Sequence, residues 1–163
     1  MARHLYTADI AWDCADRDAF DRGHYTRGHT WSFDAGMTLH ASASPSVVPL
    51  PFSREDAIDP EEALVAAIAS CHMLTFLDIA AKAGFTITSY RDKAVGKMGK
   101  FETGGIAVTQ VTLNPQIIFA GPNRPNADTY QDLHHKAHVG CFIANSVKTE
   151  ITLDETNEPL FAD

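Results

Sequence analysis

Between Ala63 and Leu77 the chain runs fifteen residues without an Asp, Glu, Lys or Arg. A stretch this apolar has to be covered on most of its surface. The residues before it say what it becomes. Asp59-Pro60-Glu61-Glu62 offers a capping carboxylate, a proline suited to the first helical position, and two acids at the positive end of a helix dipole. Lys82 and Gly84 carry the matching stop signals. One helix is therefore expected from Asp59 to about Ala83, roughly 36 Å long at 1.5 Å per residue. Ala63, Ala66, Ala67, Ala69, Ala80 and Ala81 permit close approach by neighbours. A single small protomer can hardly wrap such a helix, so a dimer is expected.

The flanking segments read as strands. His4–Trp12 alternates weakly and suggests a first strand, and the acidic Cys14–Arg22 stretch reads as a loop. Thr30–Phe33 and Thr38–Ala43 form a hairpin pattern with Gly36 at its turn. The prolines of Ser44–Ser53 imply a stiff irregular connection. Phe85–Tyr90 and Gly105–Asn114 follow as strands, the latter with an irregularity near Gln110; Lys93–Lys100 reads as a glycine-bearing polar strand or turn, and Gln116–Ala120 as an extension of the sheet after Pro115. A second helix, capped by Asn126 or Asp128, should cover Tyr130 to about Val139 and be interrupted by Gly140. Cys141–Ser146 reads as a short turn and Val147–Leu153 as the last strand. The expectation is an α+β fold in a single domain over residues 1–163.

Charge and composition exclude several functions. Thirteen basic against 21 acidic residues give a net charge of −8. The basic residues are scattered, which argues against a nucleic-acid partner. The uncharged run falls short of the roughly 20 residues that cross a bilayer, and no apolar leader precedes the early aspartates. A cytoplasmic protein without a membrane partner is expected. Three cysteines, Cys14, Cys71 and Cys141, do not look like an extracellular disulfide framework.

Two of those cysteines sit in apolar helical context. Cys71 lies inside the uncharged run, and Cys141 follows the polar segment His134-His135-Lys136-Ala137-His138. The pairing makes thiol redox chemistry the leading reading, with inert packed cysteines as the plain alternative. Cys14, among acids that disfavour a thiolate, is read as nonessential. His72 follows Cys71 directly and so points elsewhere around the helix; a buried hydrogen bond suits it better than a role as the thiol's base. His134 and His138 share a face, and with Cys71 and Cys141 they could build a zinc site. No His-Glu-x-x-His or Cys-x-x-Cys motif supports that. Trp31 and Phe33 read as sheet-packing residues.

Several segments together resemble the OsmC/Ohr family of thiol-dependent hydroperoxide reductases, specifically an OsmC-like member. They are His24-Tyr25-Thr26-Arg27-Gly28-His29, Asp59-Pro60-Glu61-Glu62, Ala69-Ser70-Cys71-His72-Met73-Leu74, and the run from Leu133 to Ser146 that contains Ala137-His138-Val139-Gly140-Cys141. The resemblance covers about His4 to Leu153. It implies an intertwined homodimer whose long central helices pack back to back and are wrapped by antiparallel sheets, with active sites at the dimer interface. It implies that Cys71 is the peroxidatic cysteine and Cys141 the resolving one. Arg27 is the implied thiolate-contacting arginine, with Arg54 as its rival, and Glu61 the carboxylate that orients it. The implied activity is an antioxidant one: organic hydroperoxides are reduced to alcohols through a Cys71 sulfenic acid and a Cys71–Cys141 disulfide, without cofactor or metal, and an external thiol recycles the enzyme. Apolar walls from Phe76, Phe142 and Ile143 would favour organic peroxides. Two other readings stay open: a non-enzymatic dimer binding a metal or small ligand, and a thiol-dependent member with another substrate. The His134-His135 pair and the Ile143-Ala144-Asn145-Ser146 extension set the chain apart from the family's best-defined reductases.

Overall fold

The computed structural model describes residues 4–162. They fall into two compact units that divide between Ala63 and Leu64. Helices and sheets are mixed throughout, so the fold is α+β.

In the first unit an antiparallel sheet is ordered β1 (Ala8–Ala11), β2 (His29–Phe33), β3 (Thr38–Ala41). Trp31 faces Ile10 on one side and Leu39 on the other, as a sheet-packing residue should. The hairpin between β2 and β3 turns on Gly36 at φ 80°. The acidic segment expected to be a loop instead holds a short helix, α1 (Arg17–Asp21). Asp16 caps it, accepting from the Ala19 N–H at 3.0 Å. The acids that suggested a solvated loop are the cap and first-turn charge of this helix.

The long helix α2 (Pro60–Lys82) begins where the capping signal puts it. The Glu62 N–H donates to Asp59 Oδ1 at 2.7 Å, and the Asp59 N–H donates to Glu62 Oε2 at 3.2 Å. This reciprocal box satisfies two of the helix's orphan donors; a cap of this kind is worth roughly 0.5–2 kcal/mol. Gly84, at φ 81°, ends the helix. One 18-residue window of α2 has a mean hydropathy of 1.8, long and apolar enough on those two counts to cross a bilayer. The expectation that the segment is too short to span therefore does not hold on length. Its buried residues are Ile68, His72, Phe76 and Ala80, one stripe at four-residue spacing. Two histidine-bearing or aromatic positions on that stripe pack against protein, as a core helix does.

The second unit has two three-stranded sheets. One is ordered β4 (Thr86–Asp92), β7 (Pro115–Ala120), β9 (Leu160–Phe161). The other is ordered β5 (Val95–Lys100), β6 (Ile106–Leu113), β8 (Glu150–Leu153). The β5–β6 register shifts between Lys97 and Met98, opposite Gln110 and Val108, where the irregularity was expected. The sheets are not purely antiparallel: β6 pairs β8 and β7 pairs β9 in parallel. The strand β9 lies past the expected last one, and two residues are too few for a periodic pattern to show.

The α2 stripe serves two cores. Phe76 and Ala80 pack with Ile117, Phe119, Tyr130, Leu133 and Ala137. Ile68 packs with Val108, Val111 and Leu113. The second long helix, α3 (Ala127–Gly140), is capped by Asn126, which accepts from the Thr129 N–H at 2.8 Å. Gly140 closes this helix rather than interrupting it. A 3-10 turn, Ala144–Ser146, follows.

Candidate active site

Both candidate cysteines lie in the second unit, one on α2 and one at the end of α3. Cys71 is half-buried and Cys141 is buried at 1% exposure; both are free thiols. The Cys71 thiol is near enough to Cys141 to perturb it. Burial pushes the Cys141 thiol up, and nearby Cys71 pushes it in the same direction. The Ala144 N–H, 3.3 Å away, donates to Cys141 Sγ and opposes that shift in part.

Gly140 explains how the end of α3 reaches α2 here. A Cβ at this position would stand 3.1 Å from Thr75 Cγ2, tighter than ordinary contact. Thr75 itself is held by its Oγ1–H, which donates to the Cys71 carbonyl at 2.9 Å. Beside these residues lies an open groove of about 500 Å³, lined by Cys71, Leu74, Thr75, Asp78, Gly140 and Phe142 among others. Leu74 is 62% exposed and Phe142 80%. Of the three apolar wall residues expected, only Phe142 lines the groove. Phe76 belongs to one core and Ile143 packs on the other. Thr75 and Asp78 were not foreseen, although their spacing of four and seven from Cys71 puts them on its face.

Arg27 and Glu61 belong to the first unit. The Arg27 Nη1–H group donates to the Tyr25 carbonyl at 2.6 Å and the Gly23 carbonyl at 3.2 Å. Its guanidinium lies 3.9 Å over the Tyr25 ring. Among the described residues no ion pair joins Arg27 to Glu61. Glu61 sits in the first turn of α2, and the capping box uses Glu62. The rival Arg54 is engaged with Asp56 by two hydrogen bonds of 2.9 and 2.7 Å. Arg27 thus keeps a guanidinium without a carboxylate partner, and Arg54 does not.

The histidines do not assemble with the cysteines. His72 and His134 are buried at 3% and 2% exposure, and His72 Nε2 lies 3.0 Å from His134 Nδ1. The buried hydrogen bond expected of His72 is therefore present. A separate pocket of about 280 Å³ is lined by His72, His134, His135, His138, Leu113 and Ile151 among others. Desolvation brings His72 down to about 4, helped by nearby His138, and His134 down to about 3, helped by His72. No cluster of three or more His, Cys, Asp or Glu residues among the described residues is arranged to hold a metal ion. The zinc set fails because His134 spends its Nδ1 on His72, in a different cavity from the thiols.

A family model described as OsmC-like protein matches residues 53–156. The chain belongs to the OsmC-like family. Peroxiredoxin OsmC of Escherichia coli strain K12 is 33% identical over 103 residues, 63% of this chain and 69% of that one. A solved OsmC-like protein of unknown function from Vibrio cholerae is 49% identical, with a TM-score of 0.89 over 93% of this chain and 99% of the other. An organic hydroperoxide resistance protein from Elizabethkingia anophelis is 16% identical, with a TM-score of 0.64 over 99% and 98% of the two chains, which shows the shared fold. The OsmC-like match takes in both Cys71 and Cys141 and begins after Arg27.

Proposed function

We propose that this protein is a two-cysteine peroxidase that reduces organic hydroperoxides to alcohols. One observation carries the reading: a half-buried thiol at an open groove lies near enough to a buried thiol at the end of another helix to shift it. The peroxiredoxin among its relatives supports the same chemistry.

The environments divide the roles. Cys71 opens onto the groove and can meet substrate. Cys141 is enclosed and its thiol is pushed up, so it stays protonated and can donate its S–H to a Cys71 thiolate. The Cys71 thiolate attacks the terminal oxygen of the hydroperoxide. The O–O bond breaks, the alkoxide takes a proton and leaves as alcohol, and Cys71 becomes a sulfenic acid. The Cys141 sulfur then displaces that hydroxyl, giving a disulfide and water. Two equivalents of an external thiol restore the dithiol and leave as their own disulfide. Leu74 and Phe142 give the groove the apolar walls that an organic peroxide needs. A reducing cytoplasm suits thiols that must be regenerated.

The working unit is a homodimer. Only one stripe of α2 is buried in the chain, and exposed Leu74 and Phe142 flank the groove. A second copy supplies matching apolar surface, and Arg27 and Glu61 complete the site in that dimer, Arg27 as the cation that favours the thiolate. Sedimentation equilibrium should return twice the 17.8 kDa chain mass; a monomer at micromolar concentration would remove this part of the proposal.

Cys141→Ser separates the two steps. With cumene hydroperoxide this variant should release one equivalent of alcohol, stop, and retain one added oxygen on Cys71 by mass spectrometry. Sustained turnover by the variant, with thiol supplied, would show that Cys141 does not resolve the intermediate.

A further inference from the structure

The buried pair His72–His134 has no part in the chemistry above, yet its position is telling. His72 is next to Cys71 on α2. A step of 100° around the helix aims it into the protein while Cys71 meets the groove. His134 precedes Cys141 by seven residues, two turns of α3, so the two project from the same side. Their contact at 3.0 Å is, among the described residues, the hydrogen bond that joins α2 to α3.

The pair is held firmly. The imidazole planes are 7° from parallel. The His134 ring sits 4.4 Å from the Phe76 ring and edge-on to Tyr130 at 4.6 Å. Tyr130 in turn donates its hydroxyl to Asn157 Oδ1 at 2.7 Å, and Asn157 Nδ2 donates to the Pro115 carbonyl at 2.5 Å. Among the described residues His134 Nε2 has no partner, so Nδ1 carries that ring's hydrogen bonding. Two apolar side chains would fill this space without the cost of burying imidazoles. What they would lack is direction. A hydrogen bond fixes both distance and angle, where hydrophobic contact fixes neither so closely.

We propose that His72 and His134 are positioning residues that set the separation of the Cys71 and Cys141 thiols. This rests on the reading that those thiols close a disulfide in turnover. Closure needs Cβ atoms about 3.5–4.5 Å apart. The clamp is one residue from Cys71 and about 10 Å along α3 from Cys141, so a small slip at the pair is carried to the second thiol.

The test compares two double variants of the whole protein. His72→Leu with His134→Leu keeps the volume, leaves no orphan polar atom and removes direction. His72→Gln with His134→Asn keeps a hydrogen-bonding nitrogen near each lost one. The readouts are the Cys71–Cys141 dithiol–disulfide equilibrium against glutathione and the alkylation rate of Cys71 by iodoacetamide. The leucine pair should disfavour closure at least about tenfold, since misplacing reacting groups by about 1 Å can cost up to roughly 10²-fold. The amide pair, which keeps the directional bond, should stay within about threefold of the parent, less than the loss of one hydrogen bond of about 1 kcal/mol, and the alkylation rate should hold in both. Closure by the leucine pair at the parental level overturns the proposal. So does an amide pair that falls as far as leucine, or closure and alkylation that change together. If the leucine pair does not fold, His72→Asn, too short to reach, replaces it against His72→Gln. The assay contains no hydroperoxide; a parent protein whose two thiols never close would sink the peroxidase reading instead.

Discussion

Cys71→Ser should leave a folded protein with no peroxide-dependent turnover, a loss of at least about 10³-fold, because a serine hydroxyl is neither ionised at neutral pH nor able to accept the oxygen that sulfur takes. The fold has little reason to object. Cys71 is half-buried at a groove edge, and a hydroxyl there meets solvent or the Cys141 thiol. Stopped-flow measurement with cumene hydroperoxide, alongside circular dichroism, distinguishes a dead site from a damaged fold. Turnover at the parental rate in the serine variant would end the assignment. Comparing this result with that of Cys141→Ser is informative, since only the second should oxidise once.

Acid should destabilise the protein from just below neutrality. In the unfolded chain His72 and His134 protonate near their ordinary 6.5; folded, burial holds them neutral down to about 4 and about 3. Both folded values are depressed. The unfolded state therefore binds more protons between pH 6.5 and 3, and stability falls as pH falls through that window. Each histidine costs up to about 1.4 kcal/mol per pH unit, against a total stability on the order of 5–15 kcal/mol. Nearby His138 adds to the repulsion that a charged His72 would meet. Urea midpoints at pH 7, 6 and 5 should decline, and the His72→Gln/His134→Asn pair should flatten the decline. A parental midpoint that does not move from pH 7 to 5 would show that the histidines are accommodated in another way.

The sequence was legible where structure is local. The capping box is written in four adjacent residues, and its geometry leaves few alternatives. Gly84 and the apolar run likewise define α2 without reference to the rest of the chain. Short or distant features were harder. Five residues of α1 show no period, so the acids of Asp16–Asp21 read as solvated loop. The parallel pairing of β6 with β8 joins strands that lie far apart in sequence, and no local pattern encodes it. The thiol approach and the His72–His134 bond depend on how α3 returns to α2, which rests on details such as the absent side chain of Gly140. The family resemblance suggested that the cysteines pair. It did not say that His72 would face His134, or that Phe76 and Ile143 would turn into the cores and leave Phe142 beside the groove.

Parallel pairing also imposes an order on synthesis. The β5–β6 and β4–β7 partners can associate before the chain past Gly140 exists, but β8 and β9 join their sheets only afterwards. Nascent protein must therefore carry two incomplete edges while Cys71 and Cys141 are already translated. During that interval neither sheet is complete, and both thiols stay outside a finished core.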